Sequence, residues 1–142
     1  MTHEPARQAR DEAPDQAPDD PIERRRDEFD ALVEAAVRAI PSPFAEQLDS
    51  VAILTEDEPR PEQVRPGVLL LGLYEGVPRT AWGASAAPVP CRITLYRIAH
   101  ELANPDPADR ARAVAATLLH EVAHHLGTDE ARIRRIEAER RS

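Results

Sequence analysis

From Ala111 to Leu126 the apolar residues Ala111, Val114, Ala115, Leu118, Leu119, Val122, Ala123 and Leu126 recur at steps of three and four. That spacing lines one face of an α-helix. Asn104-Pro105-Asp106-Pro107 supplies an N-cap aspartate and a proline at the first helical position, and Gly127 the left-handed residue that ends such a helix. A second stripe, Ile22, Phe29, Leu32, Val33, Ala36, Val37 and Ile40, predicts a helix from about Pro21 that Pro41-Ser42-Pro43 stops. Between the two helices lie three strand candidates. Val51 to Thr55 is short and closed by Glu56-Asp57-Glu58-Pro59. Val68 to Tyr74 is a continuous apolar run between Pro66-Gly67 and Glu75-Gly76-Val77-Pro78. Ile93 to Ile98 alternates. The loop from Arg79 to Pro90, with Trp82 and many small residues, reads as irregular. Beyond Gly127, Thr128-Asp129-Glu130 opens a short C-terminal helix carrying Ile133 and Ile136, with Thr128 as its cap.

The order helix, three strands, helix, helix predicts an α+β fold. A small three- to four-stranded sheet would cover the apolar face of the helix that ends at Gly127. No internal repeat is visible. Residues 1–21 are rich in Pro, Asp, Glu, Ala and Gln and hold almost no large apolar side chains. Such a composition buries too little surface to offset the entropy of ordering, so these residues are expected to be a disordered tail and residues 22–142 the folded domain.

The polar side of the predicted long helix carries the chemistry. His120-Glu121-Val122-Ala123-His124 sets two histidines four residues apart, so both point the same way and can share one metal ion, most often zinc. Glu121 stands beside them, where a general base takes a proton from an activated water. His125 falls near the edge of the apolar stripe, away from His120, and reads as a structural histidine. A zinc hydrolase site needs three protein ligands and an open position. In the extended pattern the third ligand stands ten residues after the first histidine, which here is Glu130. Asp129 carries the same chemistry one residue short of that register. Glu137 and Glu139 lie further along.

Charge and composition narrow the function. With 26 acidic against 18 basic residues and a formal net charge of -8, the chain has no general attraction for nucleic acid or for an anionic membrane surface. The run Val68 to Tyr74 is far too short to cross a bilayer, and the N-terminus lacks the basic-then-apolar layout of a signal peptide. Cys91 is the one cysteine, so no internal disulfide forms, and it reads as a packing residue. The expected address is cytoplasmic, and the expected partner a peptide or protein substrate.

The sequence resembles the minimal zincin-like metallopeptidases, small bacterial proteins. The resemblance runs from about Phe29 to Glu137. It is carried by Glu58-Pro59, by Leu70 through Pro78, by Pro90 with Ile93-Thr94-Leu95-Tyr96-Arg97, and by Thr117 through Gly127. It implies a reduced zincin fold, zinc on His120 and His124, and Glu121 as catalytic base. The family typically has Asp ten residues after the first histidine, where this chain has Glu130 preceded by Asp129. Tyr74, Tyr96 and Arg97 are candidates by chemistry for a second electrophile at the reacting oxygen. Two other classes compete. A metal-dependent endoribonuclease with H-G-x-x-H-x-x-G-x-D-H would match Asp129 but not Glu121 or Glu130. A binding module would hold its metal structurally or lack it.

Overall fold

The computed structural model describes residues 20–77 and 90–127, together with Arg135 and Ala138. Helix α1 spans Pro21–Arg38, α2 Arg97–Ala103 and α3 Pro107–His125; strands β1, β2 and β3 span Ala52–Glu56, Gly72–Glu75 and Arg92–Tyr96. Two 3₁₀ turns, Ala45–Ser50 and Pro61–Gln63, complete the described elements. The chain is α+β: three strands in the order β1-β3-β2, with β1 parallel and β2 antiparallel to the central strand. No helix among the described residues is long and apolar enough to cross a membrane.

Both long helices begin as their caps dictate. The Asp20 carboxylate accepts from the Ile22 amide ahead of Pro21, and Asp106 accepts from the amides of Ala108 and Asp109 ahead of Pro107. Gly127, at φ 76°, closes α3 in the left-handed conformation a glycine adopts without strain. Ile53, Thr55, Ile93, Leu95, Gly72 and Tyr74 share the sheet face turned to the helices, as their register requires. Ile93 and Leu95 meet Val114, Leu118, Leu119, Val122 and Ala123 of α3 and Phe29, Val33 and Ala36 of α1 in one core, joined by Phe44, Val51 and Cys91. On the outer face the Tyr96 hydroxyl donates to Gln63, so the segment between β1 and β2 covers Thr94 and Tyr96.

Three expectations need correction. Ile93 to Ile98 is not one strand: β3 ends at Tyr96 and α2 starts at the next residue. The cause is tertiary. Buried Arg97 reaches Asp57 and Glu101 at 3.0 Å each, and the Ile98 amide donates to the Asp57 carbonyl. These bonds turn the chain away from the sheet. Val68 to Tyr74 is also not strand throughout. Pairing begins at Leu71, whose carbonyl accepts from the Tyr96 amide, because β3 offers no partner beyond Tyr96. Val68 and Leu69 therefore stay 57 % and 49 % exposed. Ile22, counted in the stripe of the N-terminal helix, projects past the core. The expected tail over residues 1–19, the loop over residues 78–89 and the expected C-terminal helix with Ile133 and Ile136, apart from two positions, lie outside the described residues. Arg135 and Ala138 are helical.

Candidate metal centre

Helix α3 has two working faces. Val114, Leu118 and Val122 are fully buried against the sheet and α1, while His120, Glu121 and His124 are half-buried on the other side. One turn separates the histidines, and their rings meet edge to face with centroids 4.5 Å apart. Glu121 Oε1 lies 3.4 Å from His124 Nδ1. Taking one ligand atom from each residue, the three donors all lie within 4.8 Å of one another. The two imidazoles are zinc donors, and the Glu121 carboxylate stands close enough to act on a water beside the ion without binding it. The residues present fit the ion. Glu130, Asp129, Glu137 and Glu139, the candidates for a third ligand, lie outside the described residues.

The cleft beside this cluster runs along β2, which lies at the edge of the sheet formed by the described residues. Because Tyr96 and Leu71 form a hydrogen-bonded pair, alternation turns the backbone N–H and C=O of Gly72 and Tyr74 away from β3. One lobe of about 590 Å³ lies among Gly72, Leu73, Tyr74, Gly76, Glu121, His124 and Gly127. A second, of about 370 Å³, lies among Leu69, Leu71, Gly72, Ala116, Thr117, His120 and Glu121. Gly72 and Glu121 belong to both, so the carboxylate stands where the lobes join. A Cβ on Gly72 would come within 2.8 Å of Thr117 Cγ2. Strand and helix approach as closely as they do because residue 72 is a glycine.

None of the three proposed second electrophiles faces this cleft with its polar group uncommitted. The Tyr74 hydroxyl lies 2.9 Å from His125 Nδ1 and 3.1 Å from the Val77 carbonyl; burial first, and then Cys91, raises its pKa. Tyr96 is bonded to Gln63 on the outer face, and Arg97 to Asp57 and Glu101. His125 is fully buried, as expected of a structural residue. Its Nε2 lies 2.7 Å from Ser50 Oγ and its ring 5.4 Å from that of Tyr74. Sequence reasoning missed Ser50 as a partner, because nothing local links it to a histidine 75 residues away. It also missed the close approach at Gly72, for which the isolated glycine in an apolar run was the available signal.

A small antiparallel edge on a mixed sheet, packed on a helix that carries His-Glu-x-x-His on its open side, defines an α+β domain built around a helix-borne candidate metal site. The chain belongs to the zincin-like metallopeptidase family, which it matches over residues 48–140. A solved structure described as a conserved hypothetical protein from Thermo thermophilus is 30% identical to it. That match covers 70% of this chain and 91% of the other, with a TM-score of 0.48. No curated protein matches the chain.

Proposed function

We propose that this protein is a zinc-dependent peptidase-like hydrolase, with His120 and His124 as metal ligands, Glu130 as the third ligand and Glu121 as general base. The observation that carries the reading is the cluster of His120, Glu121 and His124 within 4.8 Å, opening on a cleft beside a strand edge that has no partner among the described residues. A bound zinc ion would supply Lewis acidity, bringing the pKa of a water toward neutrality and polarising a carbonyl. Glu121, at the junction of the two lobes, takes the proton of the attacking water and passes it to the leaving amine. An extended peptide is held by the outward N–H and C=O groups of Gly72 and Tyr74, which have no partner among the described residues. That edge favours a peptide over RNA, in keeping with the net charge of -8. The cytoplasm is the compartment this reading takes, on the single cysteine.

Elemental analysis of the untagged protein tests the site, with one zinc per chain expected. His120→Ala and His124→Ala each lose the metal, whereas Glu121→Gln retains it and loses cleavage of a peptide library by several powers of ten. Zinc-loaded Glu121→Gln with full activity would overturn the mechanism. A second reading, a zinc-binding module of latent activity, is favoured by the engagement of Tyr74, Tyr96 and Arg97 elsewhere. It predicts zinc in the wild-type chain with no cleavage across the library.

A further inference from the structure

His125 follows His124 in the chain and points the other way, into the core. Each of its ring nitrogens meets a hydroxyl: Nε2 lies 2.7 Å from Ser50 Oγ and Nδ1 2.9 Å from the Tyr74 hydroxyl. A neutral imidazole donates to one of them and accepts from the other, and whichever hydroxyl accepts from the ring has a backbone carbonyl for its own proton, Gln47 at 2.7 Å for Ser50 and Val77 at 3.1 Å for Tyr74. The Val77 carbonyl also accepts from the Cys91 thiol at 3.6 Å. The imidazole thus joins the 3₁₀ turn at Ser50, the end of α3 and strand β2, segments 75 and 51 residues from it in sequence.

An apolar side chain would fill this part of the core at no desolvation cost. Two satisfied hydrogen bonds roughly balance the penalty of burying an imidazole, so their net contribution is small. What they add is direction: α3 cannot rotate or slide against β2 without breaking one of them. The last turn of α3 carries His124, and β2 forms the cleft wall with Gly72 and Tyr74.

We infer that Ser50, His125 and Tyr74 form a positioning latch that sets the distance between His124 and the strand edge along which a substrate lies. The inference rests on the metal site proposed above. His125 is a positioning residue: it acts through His124 on one side and through Tyr74 on the other.

The test uses the full chain, untagged, at a temperature where circular dichroism shows every variant folded. Cobalt(II) is titrated in for its visible spectrum, and zinc affinity is measured by competition with a chelating dye. Tyr74→Phe keeps the ring against His125 and removes one hydrogen bond; Ser50→Ala removes the other. Each is expected to shift the cobalt bands and to weaken zinc binding at least about tenfold, the low end for losing a partner behind a ligand. Ser50→Thr keeps the hydroxyl and is expected to retain the wild-type spectrum. Unchanged bands and affinity in both Tyr74→Phe and Ser50→Ala, with only the melting temperature lowered, would overturn the latch and leave the metal site standing. A Ser50→Thr spectrum shifted as far as that of Ser50→Ala would also overturn it, since the hydroxyl would then not be what matters. A wild-type chain that binds neither metal would overturn the site itself, and the latch with it.

Discussion

Gly72 shows how one absent side chain sets the geometry of the cleft. The Cβ of an alanine there would meet Thr117 Cγ2 at 2.8 Å, with Leu95 Cδ2 and the Thr94 carbonyl at 3.3 Å. Both strand and helix are held by the core, so the clash is relieved only by shifting one of them. Gly72→Ala is expected to destabilise the fold by about 1–3 kcal/mol, the usual cost of overpacking. Thr117→Ser removes the methyl group in question, and the double variant should recover most of the loss. A denaturant-based double-mutant cycle measures the coupling; additive effects would show that the glycine is needed for some other reason. At this scale the sequence was informative about identity and silent about partners. His120, Glu121 and His124 were legible as a cluster because helical spacing alone brings them together. His125 was legible only as lying off the metal side. Its bonds to Ser50 and Tyr74 depend on how distant segments pack, and no local pattern encodes that.

Elements were legible in proportion to how local their causes are. Helix α3 carries its start, its stripe and its stop within its own residues, so its bounds follow from the sequence. Its cap is testable alone. Asp106→Ala removes the carboxylate that accepts from two amides and is expected to cost about 1 kcal/mol. Zinc affinity should not change, because His120 lies about 20 Å along the helix axis. Weakened zinc binding in a fully folded Asp106→Ala chain would mean that fraying at one end is felt at the other. Helix α2 is the opposite case. It starts directly from β3 at Tyr96 with no side-chain cap, and its anchor is the ion pair between Arg97 and Asp57, 40 residues earlier. The alternation of Ile93 to Ile98 pointed to strand, and a contact made only in the folded chain prevailed. Strand β2 is short for a related reason: a strand extends only as far as its neighbour, and the neighbour's length is not written in its own residues.

For the whole molecule, His100 and Asp57 are two described groups whose surroundings make stability respond to acid. His100 is fully buried against Phe29, and neither ring nitrogen is in hydrogen-bonding geometry with a described residue. Burial chiefly, opposed by the nearby Leu71 carbonyl and aided by the charge of Arg110, pushes its pKa from 6.5 to about 4. Between those two values the unfolded chain binds a proton that the folded chain refuses. Stability should therefore fall by about 3 kcal/mol as pH drops through this window. Asp57 acts lower. The Arg26 hydrogen bond, opposed by burial and reinforced by Arg97, holds it at about 2 instead of 3.8. Its contribution, about 1–2 kcal/mol after allowing for partial exposure, is present above pH 3.8 and lost as pH falls to 2. Urea midpoints measured from pH 7 to pH 4 check the first loss. His100→Leu should flatten that part of the profile, and an equally steep profile would assign the loss to other groups. The two-faced helix has an evolutionary consequence. Residues that keep α3 folded and residues that would perform chemistry lie on opposite sides of it, so a lineage can lose His120 without its protein being cleared by quality control. Silent descendants can then persist as abundant, well-folded proteins beside working ones, and accumulation in a cell reports the integrity of the core while saying nothing about whether the chemistry has survived.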